Sequence, residues 1–476
     1  MGKFNLKLGL TKNKSGHVAY KMTLKEKLVT EVLTSLFNEK KFYGDNSEDI
    51  LKDVRQAIEE DPKFVANLCI YVRKEFHLRS ISHVLVSELA KSNKGKPYVR
   101  EVVNNIVERV DDMNEILACY INNYGKPIPN SLKKGLADKF LTFDEYSLAK
   151  YNRQGAIKLK DILCLTHPKP KNKDQEHLFK RVLEDKLETP ITWETQLSAH
   201  GNTKETWEYL IQNGKLGYMA MLRNLRNIAK VQPNNIDKVY DIISDENRVL
   251  KSKQLPFRYY TAYKALKNEG FISSKPYSSL EKAIKASTKN IETLKGTTLI
   301  AADVSGSMNS SLSRNGDTTC GEIAILLMAM ANHICEDAIT VTFDFKLESV
   351  PMASEGGIIT NANSVRVTGG GTNLGLPIQY LLNNNVKVDR IIILSDNEIN
   401  HGYDRVCQNL IESYRKKINK DVWVHAIDLM GYGTQQFKGP KTNIIAGWNE
   451  KVLDFIPKAE QGTDTLQKSI ESYHFK

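Results

Sequence analysis

From about residue 20 to residue 290, apolar positions return every three or four residues. KEKLVTEVLTSLFNE, VREVVNNIVERVDDMNEILACYINNY and YMAMLRNLRNIAKV show it, and that spacing lays one apolar face along an amphipathic helix. Glycine and proline interrupt at SNKGKP, NYGKPIP and THPKPKN, where helices are expected to stop. Roughly a dozen such helices follow one another without long spacers. A row of that kind suits stacked helix pairs, each burying its apolar face on its neighbours, better than one compact bundle. No crisp repeat consensus accompanies it.

Beyond about residue 295 the period changes. TTLIAAD, AITVTFD, DRIIILSD and DVWVHAID are short β-branched runs, each closing in aspartate. CGEIAILLMAMANHIC and CQNLIESYRKKI lie between them with helical patterning. Continuous apolar strands alternating with helices predict a parallel sheet covered on both faces. In such a fold the ligand site forms at the carboxyl ends of the strands. Asp303 and Asp396, far apart in sequence, would then be neighbours.

Composition narrows the classes. The 476 residues exceed one ordinary core and suggest two to four domains; hydrophobic (41%) and charged (26%) contents are globular values. The six cysteines Cys69, Cys119, Cys164, Cys320, Cys335 and Cys407 form no CxxC pair, so they read as reduced, mostly buried thiols rather than a zinc ribbon. The start, MGKFNLKLGLTKNKSG, is basic without an apolar core, and no 18-residue apolar run occurs. Neither a secretory signal nor a membrane span is expected, and the expected location is cytoplasmic. The net charge of +11 is unevenly held. Residues 1–295 carry 51 Lys and Arg against 36 Asp and Glu, whereas residues 296–476 carry 16 against 20. A basic field of this kind favours a polyanion such as nucleic acid, although a solvated basic surface would give the same surplus.

The segment DVSGSM ends the first strand of the second half. Asp303, Ser305 and Ser307 converge there if the chain turns sharply, and Gly306 is expected to permit that turn. GGGTN adds Thr372 after Gly369, Gly370 and Gly371, and LSDNE adds Asp396. Two carboxylates, three hydroxyls and one or two waters make a shell for a hard divalent cation, magnesium first, with manganese or calcium as alternatives. Alone, an aspartate–serine cluster is an ordinary turn; three such segments in order, each at a predicted strand end or loop, are harder to explain that way. Asp344 and Asp428 also end strands but are expected only to cap the segments that follow. On these residues the second half, roughly residues 296–455, resembles a von Willebrand factor A domain with a metal-ion-dependent adhesion site. That resemblance implies a metal used to bind an acidic group of a partner. No base stands beside DVSGSM, and no GxxxxGK[ST] loop occurs, so catalysis is not expected.

Cations pattern the first half. Arg223, Arg226 and Lys230 share one helix face opposite Leu222, Leu225 and Ile228. Lys133 and Lys134 stand early in another helix, where they oppose the helix dipole. Lys150, Arg153, Lys158 and Lys160 crowd around Tyr151, and His167 precedes Pro168, where it would cap carbonyls or meet a phosphate. Cations mixed with a stacking ring suit single-stranded RNA.

The runs YNRQGAIKLKDILCLTHPKP and TWEYLIQNGKLGYMAMLRNLRNIAK, followed by an A-type domain, resemble the SS-A/Ro ribonucleoprotein family. The resemblance implies a TROVE module of HEAT-like helical repeats over residues 15–290, arranged as a ring, and an A-type domain with a parallel-sheet core over 296–476. It further implies a monomeric, noncatalytic RNA-binding scaffold. Y-type noncoding RNA would bind an outer basic surface and single-stranded ends of misfolded or decaying RNA a central cavity, with an exoribonuclease as a partner in RNA quality control. Lys133, Lys134, Lys150, Arg153, His167, Arg223 and Arg226 carry over to the RNA-facing surface, while Asn152 and Gln154 stand where relatives carry basic residues. The competing reading is a metal-dependent assembly module without specific RNA binding.

Overall fold

The structure, a computed structural model, describes residues 9–13, 16–34, 47–152, 155–289, 291–310, 318–400, 406–447, 451–461 and 466–473. The chain gathers into two compact units. One combines residues 1–38 with 202–467, the other 39–201 with 468–476.

The second of these units is helical among the described residues. Helix Pro62–Lys74 packs on Ser80–Lys91 and on Lys96–Ile106, which in turn packs on Asn130–Phe140. Helices Pro62–Lys74 and Ser80–Lys91 meet both a sequence neighbour and the helix beyond it, which is how stacked pairs bury their apolar faces. Starts are capped as the sequence allows: Asp61 accepts from the Phe64 N–H, and Asp144 from the Ser147 N–H. At Gly135 a β-carbon would stand 2.8 Å from Val103 Cβ, so glycine sets the approach of two helices.

A charged knot lies inside the stack. Asp112, fully buried, accepts from Arg79 Nε and from the Glu108 and Arg109 backbone N–H groups, with Arg73 at 3.4 Å and His83 at 3.2 Å. Burial pushes this carboxyl up, but the partner bonds and cations outweigh burial and hold it well below the usual carboxylate range. The chain's last described residues belong here too. Asn67 Nδ2 donates to the Ile470 and Glu471 carbonyls, and Tyr473 sets its ring edge-on to Tyr71.

The other unit contains a six-stranded sheet. Its strands are β3 (Leu294–Asp303), β4 (Cys335–Phe343), β5 (Leu347–Ser349), β6 (Arg390–Ser395), β7 (Trp423–Asp428) and β9 (Thr442–Ala446). Their order is β5-β4-β3-β6-β7-β9, parallel throughout except for the edge strand β5. The four runs that end in aspartate are the four central strands, as their continuous apolar character predicts. Leu299, Ala301, Val341, Ile391, Ile393 and Val424 bury one face of the sheet, and helix Cys320–Ile334 packs on β3, β4 and β6. From β3 the chain crosses to β4 on one side, while β6 lies on the other. The strand order therefore reverses direction at β3, the position where such sheets open a crevice.

Three features depart from the sequence reading. Residues 9–21, read without strands, form an antiparallel hairpin of β1 (Leu10–Lys12) and β2 (Val18–Lys21), which joins β8 (Thr434–Gln435) in a second sheet. Seventeen helices, not a dozen, precede β3 among the described residues. The surplus consists of short helices such as Glu145–Tyr151 and Glu246–Ser252, too brief to display a period. Third, helices Pro256–Asn268 and Ser274–Ser287 belong to the compact unit that holds the sheet. Lys264 Nζ donates to Glu322 Oε1 at 2.6 Å, and Glu281 accepts from the Ile359 and Thr360 N–H groups at the start of helix Ile358–Asn363. No described helix is long and apolar enough to cross a membrane.

Candidate metal centre and cationic faces

The sheet brings the five positions expected to ligate a metal to the crevice end. Asp303 closes β3, and its Oδ1 accepts from the Ser305 N–H at 2.9 Å, which starts the turn. Ser305 Oγ lies 3.3 Å from Ser307 Oγ. Gly306 is needed for a different reason from the one its sequence position suggests. Its φ is not in the left-handed region; instead its N–H donates to Gly370 O at 2.7 Å, and a β-carbon would lie 3.1 Å from Gly369 O. Gly369, at φ +88°, does require glycine. Close approach of two backbones, rather than a strained turn, joins DVSGSM to GGGTN.

Asp303, Ser305, Thr372 and Asp396 are all fully buried. Thr372 N–H donates to Asn400 Oδ1 at 2.6 Å, leaving Thr372 Oγ1 buried without a partner. Asp396 Oδ1 accepts from the Glu398 N–H at 3.0 Å, and its Oδ2 is likewise without a partner. Burial and the neighbouring Asp396 charge push the Asp303 carboxyl upward; burial does the same to Asp396. Two buried carboxyls both pushed upward, with an orphaned hydroxyl and an orphaned carboxylate oxygen beside them, form a donor set that a divalent cation fits. Among the described residues no three His, Cys, Asp or Glu side chains gather as a ligand set, so hydroxyls would have to share the coordination.

Ser395 and Asn400 went unnoticed in the sequence. Ser395 Oγ donates to Asp303 Oδ2 at 2.6 Å and accepts from the Asn397 N–H, fixing both carboxylate loops. LSDNEIN shows no spacing that marks them. Asp344 and Asp428 behave as expected of capping groups. Asp344 accepts from the Lys346 N–H and Thr368 Oγ1; Asp428 Oδ1 accepts from the Met430 and Gly431 N–H groups. Asp428 Oδ2 is nevertheless buried without a partner, and burial pushes its carboxyl up to about 7.

The cations fall into two groups, one in each unit. On helix Tyr218–Val231, Arg223, Arg226 and Lys230 are exposed while Leu222, Leu225 and Ile228 are buried. Arg226 and Lys230 share Glu269 at 3.8 and 3.6 Å. In the other unit, Lys134 is exposed and Lys133 half-buried on helix Asn130–Phe140. Lys150 Nζ stands over the rings of Tyr146 and Tyr151, and Arg109 also covers Tyr151. The exposed ring is therefore Tyr146, half-open to solvent, rather than Tyr151. Lys160 is tied to Asp185. His167 ends helix Leu159–Thr166 in the left-handed conformation; its backbone N–H, not its ring, closes the helix on Leu163 O, and the residue is exposed. Arg153 and Gln154 lie outside the described residues.

A helical-repeat array followed by an A-type domain with a DxSxS crevice defines the class of protein. A family model described as the TROVE domain matches residues 7–185 and 180–303, and one described as the Ro60 vWA domain matches residues 297–456. The chain belongs to the Ro60 family. It is 24% identical over 428 residues to Telomerase protein component 1 of Mus musculus, a match covering 68% of this chain and 16% of that protein. It is 26% identical over 211 residues to the RNA-binding protein RO60 of Caenorhabditis elegans, covering 41% of this chain and 32% of that protein. The rat telomerase component is 25% identical over 292 residues, covering 43% of this chain and 11% of that protein. The chain thus spans less than half the length of each of these relatives. The crystal structure of the Deinococcus radiodurans Ro (Rsr) protein matches with a TM-score of 0.63 over 93% of this chain and 100% of that one, at 16% identity. That is a likeness of fold.

Proposed function

We propose that this chain is a noncatalytic RNA-binding scaffold, acting in the cytoplasm. The observation that carries this reading is the exposed cationic face Arg223–Arg226–Lys230 on a helix whose other face is fully packed, in a family with a member named for RNA binding. The surplus of Lys and Arg over residues 1–295 supports it. Guanidinium and ammonium groups held clear of the core by a rigid helix meet phosphates at little ordering cost. In the helical unit, Lys150, the exposed Tyr146 and His167 would add stacking and phosphate contact, which suits unpaired bases more than a duplex. The finer reading is Y-type noncoding RNA as one ligand, single-stranded ends of damaged RNA as another, and an exoribonuclease as protein partner.

The A-type domain takes a second role in this proposal. Asp303, Ser305, Ser307, Thr372 and Asp396 would hold one divalent cation, magnesium by the hardness of the donors. When bound, such an ion supplies a positive centre able to accept a carboxylate oxygen from a partner. The orphaned Thr372 Oγ1 and Asp396 Oδ2 favour that role, and also favour the alternative of a metal-dependent assembly module without specific RNA binding.

Fluorescence anisotropy of the purified chain with a labelled stem-loop RNA and a labelled unstructured RNA separates the two. The scaffold reading expects binding that Lys150→Ala with His167→Ala, or Arg223→Ala with Arg226→Ala, weakens. Absence of binding to either RNA at low ionic strength leaves the assembly reading in its place.

A further inference from the structure

The hairpin that the sequence did not announce ends at the metal loops. Strand β2 pairs with β8 through Tyr20–Gln435 and Lys21–Thr434. Asn13, at the hairpin turn, is buried. Its Oδ1 accepts from the His17 N–H at 2.8 Å, which closes the turn, and its Nδ2 donates to Ile399 O at 3.0 Å. Ile399 sits inside the segment Asn397–Asn400 that follows the candidate ligand Asp396. The next residue, Asn400, accepts from the Thr372 N–H through Oδ1, and its own N–H donates to Thr372 O at 3.3 Å. Asn13 therefore bonds to a loop that links Asp396 to Thr372.

A second support comes from the strand the hairpin pairs with. Gln436, directly after β8, donates Nε2 to Asn397 O at 3.2 Å. Asn397 is a non-glycine residue at φ +60°, a conformation that persists where neighbours impose it. Helix Leu24–Leu33 and its end complete the packing: a β-carbon at Gly431 would stand 2.2 Å from Thr34 Oγ1, and one at Gly433 2.8 Å from Lys27 Cε. The N-terminal segment thus presses on the β7–β8 connection and, through it and through Asn13, on the loop after β6.

We infer that the N-terminal hairpin is a clamp that sets the affinity and selectivity of the metal site, with Asn13 as a positioning residue acting through the Ile399 carbonyl. The inference rests on the reading that the Asp303 constellation binds a divalent cation. Groups that orient metal ligands without touching the ion change affinity by about 10- to 100-fold when removed. The effect falls unequally on different ions. Magnesium demands near-octahedral ligands and penalises a loosened loop, whereas calcium accepts variable geometry.

Asn13→Asp is the decisive variant: it keeps the acceptor for the His17 N–H and removes the donor to Ile399 O. Gln436→Ala breaks the second support and leaves the hairpin untouched. Each full-length variant is titrated with Mn2+ followed by electron paramagnetic resonance, and with Mg2+ and Ca2+ by calorimetry. Amide exchange over residues 397–400 is followed in the metal-free state, with the thermal midpoint in chelator as the folding control. The clamp predicts Mn2+ and Mg2+ affinity lower by about tenfold, a smaller loss for Ca2+, faster exchange at 397–400, and an unchanged midpoint. Uptake and exchange equal to the unsubstituted chain in both variants overturn the inference alone. If the unsubstituted chain takes up none of the three ions, the metal reading fails and the clamp fails with it.

Discussion

The Asp303 carboxylate accepts from the Ser305 N–H and from Ser395 Oγ, so replacing it by alanine removes a charge together with the bond that starts the turn. If the site binds Mg2+ as proposed, the ion should raise the melting temperature of the unsubstituted chain, by about 3 kcal/mol of stability at a hundredfold excess over the dissociation constant, and Asp303→Ala is expected to abolish that rise. Scanning calorimetry with and without the ion checks it, and an unaltered rise refutes the site. A second residue-scale prediction concerns Arg390, His425 and Glu460. His425 Nε2 lies 3.0 Å from Glu460 Oε1, and Asn443 Nδ2 faces its Nδ1 at 3.4 Å. Burial holds the imidazole below its ordinary 6.5. The Glu460 carboxyl is pushed up by burial, but bonds from Arg390 and His425 prevail and bring it to about 2 from 4.5. Both values are depressed in the folded chain, so both groups contribute stability that is complete above their ordinary values. The share of His425 is lost as pH falls below 6.5, and that of Glu460 from 4.5 down through about 2. His425→Gln should remove the first stage, read as thermal midpoints on either side of pH 6.5. At this scale the five proposed ligands could be read from DVSGSM, GGGTN and LSDNE, because two carboxylates close apolar strands and three hydroxyls follow in small-residue turns and loops. Ser395, Asn400 and Asn13 could not, since a serine or asparagine signals nothing until its distant partner is known.

Elements were legible where burial was two-sided. TLIAAD and RIIILS read as central strands because their middles are apolar without alternation, and they lie in β3 and β6. The hairpin is only three and four residues per strand and half-exposed, so alternation had no length over which to show. The charged knot was equally hidden: in VDDMNEILACY, Asp112 reads as one more first-turn acid. Its burial has a cost that can be measured. Asp112→Ala leaves the Arg73 and Arg79 guanidinium groups without their shared carboxylate and two backbone N–H groups without an acceptor. The expected loss is about 3–5 kcal/mol, seen as a shift of the urea midpoint. Gly135→Ala should cost about 1–3 kcal/mol by forcing two helices apart. A loss within a few tenths would show that Val103 gives way freely.

For the whole molecule, the charge split was legible as a sum, and its meaning depends on which cations stand free. Lys160 is committed to Asp185 and Arg109 to Asp111, so fewer groups are open to phosphate than the composition suggests. RNA affinity should fall with salt, and Arg223→Ala should reduce the slope of log affinity against log salt by about 1; a slope unchanged by the variant removes Arg223 from the contact. The boundary near residue 290 follows the change of period. Compactness follows packing instead, and it draws residues 1–38 and 202–290 to the sheet and residues 468–476 to the other helices.

That arrangement bears on how the chain is made. Tyr20 leaves the ribosome long before Gln435, the residue it pairs with, and Asn67 long before the carbonyls of Ile470 and Glu471. Neither unit is a continuous piece of polypeptide, so neither can finish folding until its later segment has been made. The nascent helices must wait with open edges, dependent on their local propensity and on whatever shields them in the meantime.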